Sequence, residues 1–289
     1  MALHTKHYSL ILDKNKCTGC GICMEICPKE AIEVQKSLKT EERKTAHPTI
    51  RIIKEKCHYC GMCEALCPFG ALKTEINGTH IIPVVENDSF PQLLREISVN
   101  ENKCGPEILE IEEICPLGCI DISVQSLDEA KNTDSISKIV KGNYKVKILI
   151  DKKSCPCCGI CETKLPKGVI KVKKLIYGKI RINNEKCPQN CHVCVDVCPI
   201  PNVLLLSDGK VEVNETHCVY CGTCKISCPE EGALELIRNR INHSKIHSGA
   251  WNKALEKLTS TKSVVKEFQK KNAEKLKKVI TKRGLQELD

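Results

Sequence analysis

Aromatic side chains are scarce in this 289-residue chain, at 3% of positions with one Trp, three Phe and five Tyr. That scarcity excludes large cores anchored on aromatic rings, although the length would ordinarily suggest about two domains. Long apolar runs are missing as well. The longest, such as Val203–Leu206 and Lys147–Ile150, have the size of strands, so no membrane-spanning helix is expected. The opening MALHTKHYSLILDKNKC lacks the charged-then-apolar pattern of a secretory leader, which argues against a disulfide scaffold and for a reducing, cytoplasmic address. The nine histidines show no ligand spacing and read as ordinary surface residues.

Cysteine is what the chain has in excess, with 23 residues. The motif Cys-x-x-Cys-x-x-Cys-x-x-x-Cys-Pro occurs intact three times. The copies are Cys17/Cys20/Cys23/Cys27-Pro28, Cys57/Cys60/Cys63/Cys67-Pro68 and Cys218/Cys221/Cys224/Cys228-Pro229. A fourth copy, Cys187/Cys191/Cys194/Cys198-Pro199, carries one extra residue in its first gap, and two damaged copies lie around Cys104–Cys119 and Cys155–Cys161. Zinc sites pair separated Cys-x-x-Cys knuckles and lack this run of four ending in proline. The spacing is that of bacterial-type proteins with two [4Fe-4S] clusters.

The chemistry explains the spacing. A cubane has four iron corners, each needing one thiolate. Three cysteines two residues apart wrap three corners, and the fourth crosses to the other cluster of the pair. Proline removes a backbone donor and fixes the turn that starts the crossover. Gly21, Gly61, Gly159 and Gly222 follow the second cysteine of their motifs, where a bare backbone lets N–H groups approach sulfur. His192 takes that slot in the extended copy, so its loop should run differently.

Pairing consecutive motifs gives an α+β fold of tandem two-cluster ferredoxin units with a C-terminal helical tail. In residues 1–80, Cys17, Cys20, Cys23 and Cys67 would hold one cluster, and Cys57, Cys60, Cys63 and Cys27 the other. Lys36–Lys44 reads as an exposed loop and Thr49–Ile53 as a strand. Ala31–Val34 and Ala71–Thr74 read as the phrases that carry the chain from helix to strand. In residues 181–238, Cys187, Cys191, Cys194 and Cys228 form one set, and Cys218, Cys221, Cys224 and Cys198 the other. Between them VLLLSDGKVEVNETHC reads as a hairpin turning at Asp208-Gly209.

The unit at 81–180 is degenerate. Leu165-Pro166 stands where Cys-Pro belongs, and the partner motif keeps only Cys104 and Cys115-Pro116. Cys155, Cys158, Cys161 and the crossover residue Cys115 still complete one cluster, which brings the expected total to five. Cys104, Cys119 and Cys157 are left over. They are idle thiols, or ligands of a sixth irregular cluster with Glu107 or Glu110.

Charge is unevenly placed. Residues 239–289 hold 13 Lys and Arg against 5 Asp and Glu, supplying +8 of the net +9. Five oxidised cubanes would add about −10, so the loaded body would be acidic and the tail basic. Gln125–Asn143 is polar and linker-like. Val265, Phe268, Asn272, Leu276 and Val279 form a narrow helical stripe, ended by Lys282-Arg283-Gly284, that could dock on a partner. Nucleic-acid binding has no aromatic or motif support.

The cysteine repeats resemble archaeal polyferredoxins over about residues 9–238. The segment Ser248–Leu258 (SGAWNKALEKL) is similar to the polyferredoxin subunit of tungsten- or molybdenum-dependent formylmethanofuran dehydrogenase. That family's pattern has more units with complete ligand sets. The resemblance implies an electron-transfer subunit without catalysis of its own. Its donor would be a hydrogenase, heterodisulfide reductase or soluble ferredoxin, and its acceptor the metallopterin subunits that reduce carbon dioxide in methanogenesis. A polyferredoxin of a hydrogenase or heterodisulfide reductase complex, and a mainly scaffolding subunit, remain as alternatives.

Overall fold

One strand-pairing pattern occurs three times along the chain. The computed structural model describes residues 6–35, 47–104, 115–126 and 144–259. In the first occurrence, β1 (Tyr8–Leu12) pairs antiparallel with β4 (Leu72–Ile76), while β2 (Ile32–Gln35) pairs with β3 (Thr49–Ile52). In the second, β6 (Ile97–Val99) pairs with β9 (Ile170–Val172), and β7 (Ile120–Ser126) with β8 (Tyr144–Ile150). In the third, β10 (Ile176–Ile182) pairs with β13 (Leu234–Ile241), and β11 (Leu204–Ser207) with β12 (Lys210–Val213). Each time the first strand meets the last and the middle two meet each other. A two-residue strand, β5 (Thr79–His80), extends the first sheet beyond β4.

The strands follow from alternation in sequence. Along β13, Leu234, Leu236 and Arg238 are buried while Glu235 is exposed, the period of two that a half-buried strand requires. The hairpin between β11 and β12 turns at Asp208 (φ 50°) and Gly209 (φ 75°), both left-handed as a tight two-residue hairpin demands.

Short helices carry the third cysteine of the motifs. They are α1 (Ile22–Ile26), α2 (Met62–Ala65), α4 (Ile160–Lys164), α5 (Val193–Asp196) and α6 (Thr223–Ser227). A further short helix, α3 (Pro83–Glu86), starts on proline after β5. Helices of four or five residues do not persist alone, so tertiary contacts hold them in place. Gly21, Gly61, Gly159 and Gly222 cap four of them at φ between 77° and 106°, whereas His192 caps α5 at φ −121°. The extended copy does take its own path.

The helical tail expected from residue 239 is corrected over residues 239–259. Strand β13 runs on to Ile241, and Asn242 N–H donates to Leu175 O at 2.7 Å. Helix α7 (Gly249–Thr259) then folds back onto the body and buries Trp251, Ala254 and Leu258 on one face. Trp251 meets the Phe90 ring edge-on at 5.4 Å and the His243 ring at 4.5 Å. Ser248 Oγ ties the helix start to Ser89 O at 2.6 Å. The chain's one tryptophan and one of its three phenylalanines thus dock α7. The stripe from Val265 to Val279, the Lys36–Lys44 loop and most of Gln125–Asn143 lie outside the described residues; Gln125 itself belongs to β7. Among the described residues no helix is long and apolar enough to cross a membrane.

Candidate metal centres

The structure gathers cysteines from distant parts of the chain into fours. Cys115, Cys155, Cys158 and Cys161 line one hollow whose other walls include Ile97, Ile120, Ile150 and Ile160. Cys198, Cys218, Cys221 and Cys224 line a second, with Ile180, Val203 and Leu236. Cys187, Cys191, Cys194 and Cys228 line a third, with Ile182 and Leu234. In the first unit the thiols lie near one another within and across the two expected sets. Cys23 is pushed up by burial and then by nearby Cys20, Cys63, Cys67 and Cys17, and Cys63 by burial and then by Cys60, Cys57 and Cys27. In the three hollows, the cysteine before proline has crossed to the partner motif.

Backbone donors are aimed at the sulfurs by local geometry. Ala31, Ala71 and Cys119 N–H donate to the Sγ of Cys27, Cys67 and Cys115, four residues back, at 3.4, 3.3 and 3.3 Å. Tyr59 and Tyr220 donate to Cys57 and Cys218, two residues back, both at 3.4 Å. Those tyrosines sit at φ 51° and 49°, a left-handed conformation uncommon outside glycine, and Cys157 shares it at 57°. That conformation turns the chain so that its N–H faces the sulfur. Such bonds favour the thiolate over the thiol.

Burial works in the opposite direction while the thiols carry their protons. It lifts Cys158 and Cys198 to about 11 and Cys161, Cys194 and Cys218 to about 12. A buried cluster of thiolates is therefore stable only with cations among them, and metal entry must release protons. Among the described residues, no three His, Cys, Asp or Glu side chains converge tightly enough to hold a single metal ion. Four sulfurs spread around an apolar hollow fit a group with four separate metal corners, which is the donor set of a [4Fe-4S] cubane. They do not fit a lone tetrahedral zinc ion.

Among the described residues the leftover thiols are not gathered into a sixth four. Cys119 lies in the wall of the hollow lined by Cys115 and Cys155. Cys157 is buried, and its S–H points to Cys155 O at 3.9 Å. Cys104 S–H points to Asn100 O at 3.8 Å and is not part of that wall. Leu165, standing where a cysteine would complete the Cys104 set, is buried as an apolar side chain. Glu107 and Glu110 lie outside the described residues.

Two arginines that sequence motifs do not flag lie between the cysteine loops. Arg95 Nε donates to Cys155 O at 3.0 Å, while its Nη2 donates to Cys67 O at 2.9 Å and Pro68 O at 3.2 Å. Arg238 Nε donates to Tyr220 O at 3.0 Å and Nη2 to Cys221 O at 2.6 Å. Its Nη1 pairs with Glu25 Oε2 at 2.8 Å. The one available signal was that Arg238 occupies an inward position of an alternating strand.

Comparison with known proteins agrees with this geometry. Residues 16–71 match the model of the 4Fe-4S dicluster domain. The chain is 35% identical over 104 residues to formate hydrogenlyase subunit 2 of Escherichia coli strain K12, covering 32% of this chain and 49% of that one. It thus spans about half the length of that relative. It is 36% identical over 73 residues to ferredoxin YfhL of the same organism, covering 24% of this chain and 80% of that one. It also superposes with a TM-score of 0.73 and 30% identity on a chain of a solved complex from Methanospirillum hungatei. That assembly is the formate dehydrogenase–heterodisulfide reductase–formylmethanofuran dehydrogenase complex, and the match covers 89% of this chain and 86% of that one. The chain belongs to the ferredoxin family of the 4Fe-4S type.

Proposed function

We propose that the chain is a polyferredoxin subunit that conducts low-potential electrons through five [4Fe-4S] clusters to a catalytic partner. The observation that supports it most is that three hollows are each lined by four cysteines, three from one motif and the crossover residue from another. The ligand sets are Cys17/Cys20/Cys23/Cys67, Cys57/Cys60/Cys63/Cys27, Cys155/Cys158/Cys161/Cys115, Cys187/Cys191/Cys194/Cys228 and Cys218/Cys221/Cys224/Cys198. They divide among units at 1–80, 81–180 and 181–238.

Bound cubanes supply the one-electron couples. The protein contributes the rest: thiolates fix the positions, apolar walls exclude water, and N–H donors from Ala31, Ala71, Cys119, Tyr59 and Tyr220 draw charge from the sulfurs.

The partner proposed is the metallopterin subunit of a formylmethanofuran dehydrogenase. Support comes from the likeness to a chain in the M. hungatei assembly over 86% of that chain's length. The match to a formate hydrogenlyase subunit favours, as a second reading, the ferredoxin arm of a hydrogenase-type complex. Anoxic affinity purification, with identification of co-eluting subunits, separates the two. Recovery of metallopterin subunits with cluster reduction by a physiological donor supports the first; recovery of hydrogenase subunits alone supports the second. If no cluster can be reduced by any donor, the chain is a scaffold.

A further inference from the structure

The loops of the first and third units touch directly. Thr18 Oγ1 and Thr223 Oγ1 are 3.3 Å apart in a fully buried contact. Gly222, at φ 106°, leaves no room for a side chain: a Cβ there would sit 2.8 Å from Arg238 Nη2 and 3.2 Å from Cys20 O. Arg238, only 5% exposed, spans this seam. It holds the Tyr220 and Cys221 carbonyls with two nitrogens and Glu25 of α1 with the third.

The middle unit touches both neighbours through separate contacts. Arg95 ties Cys67 O to Cys155 O, and His217 Nδ1 meets Cys158 O at 3.1 Å. Three cysteine sets therefore meet at one hub, and the unit with the missing cluster is a corner of it. Loss of one site in that unit leaves the contact between the first and third units whole.

We propose that Arg238 is a positioning residue that clamps the Cys20 loop to the Cys221 loop, so that electrons cross directly between the first and third units while the middle unit forms a side branch. The inference rests on the electron-transfer function proposed above. A buried guanidinium holding the carbonyls of one loop and a carboxylate of the other fixes the gap, on which electron transfer depends steeply. Its charge, close to both sets of thiolates, also favours their reduced state.

The test uses the full chain, prepared anoxically and reduced with titanium(III) citrate. Iron content, midpoint potentials and magnetic interaction between reduced clusters are measured by electron paramagnetic resonance. Arg238→Gln should keep its iron, lose part of the interaction seen in the parent protein and lower the midpoint of a hub cluster. Arg238→Lys, which restores the charge, should restore the potential more fully than the interaction. Cys158→Ser should remove the middle cluster's signal while the interaction between its two neighbours persists. The proposal is overturned if Arg238→Gln matches the parent in both interaction and potential, or if Cys158→Ser abolishes the interaction. Should Arg238→Gln fail to fold, Glu25→Ala decides: it removes the acceptor of the arm between units and leaves the arginine's other two bonds, and an unchanged interaction there overturns the clamp. Failure of the parent's clusters to accept electrons at all would instead reject electron transfer itself.

Discussion

Cys119 donates its backbone N–H to Cys115 Sγ at 3.3 Å, the same bond that Ala71 makes to Cys67 Sγ at 3.3 Å. The degenerate middle unit has thus kept the crossover turn of an intact one. Cys115 lines the hollow of Cys155, Cys158 and Cys161, some forty residues away in sequence. Cys115→Ser should therefore remove or alter the cluster on those three residues. Cys104→Ser should leave every cluster signal unchanged. Electron paramagnetic resonance of the two variants checks both, and an unaltered spectrum for Cys115→Ser would break the pairing of the damaged motifs.

The anoxically isolated protein should contain about twenty iron atoms, four for each of five cubanes. A reproducible value near twenty-four would reinstate Cys104, Cys119 or Cys157 as ligands of a sixth cluster. Cys119→Ala, which restores the residue type found at Ala31 and Ala71, should leave the iron count unchanged. Iron and sulfide analysis of parent and variant decides the matter.

Stripping the iron should unfold most of the body. Aromatic side chains are few, and the cysteine loops of the core would face one another as buried thiols without cations. Circular dichroism before and after anoxic treatment with a strong chelator should show loss of strand and helix signal together. Retention of the full signal would mean that the apolar walls suffice to hold the fold.

How far the sequence speaks depends on whether a feature is set by local spacing or by packing between units. Cysteine spacing pointed to 4Fe-4S chemistry, and the crossover rule expected Cys228 with the Cys187 loop, where Cys228 lines the hollow of Cys187, Cys191 and Cys194. The β11–β12 turn was legible at Asp208-Gly209 because only certain residues tolerate its backbone. The meeting of Thr18 with Thr223 was not legible, since no periodicity links residues 205 positions apart. Arg238 was hidden for a related reason: a buried guanidinium looks out of place until Glu25 and two carbonyls surround it. The tail was misjudged where its cysteines end, because strand β13 and helix α7 belong to a core built from other parts of the chain.

Trp251 should behave as a core residue and not as part of a loose arm. It is buried against Phe90 and His243, so Trp251→Ala removes a large side chain that the rigid surroundings cannot replace. The cost should be about 3–5 kcal/mol. Thermal unfolding of the loaded protein, followed anoxically, should show a clear fall in midpoint. A change within error of zero would mean that α7 detaches without consequence.

Truncation separates the two parts of the C-terminal region. Cutting after Thr259 keeps β13, α7 and every cysteine, so iron content and stability should match the full chain. If the basic segment beyond it docks on a partner through a narrow apolar stripe, co-purification with catalytic subunits should nevertheless weaken, and the loss should grow with salt. Cutting after Arg238 should be worse in kind. It removes the end of β13 opposite Ile176 and Tyr177, the Asn242 bond to Leu175, and the Trp251 contact with Phe90. Because Arg238 then becomes the last residue of a frayed strand, clusters on the Cys20 and Cys221 loops should become labile even though all their cysteines remain. Equal iron retention by the two truncations would show that residues 239–259 do not hold the hub together.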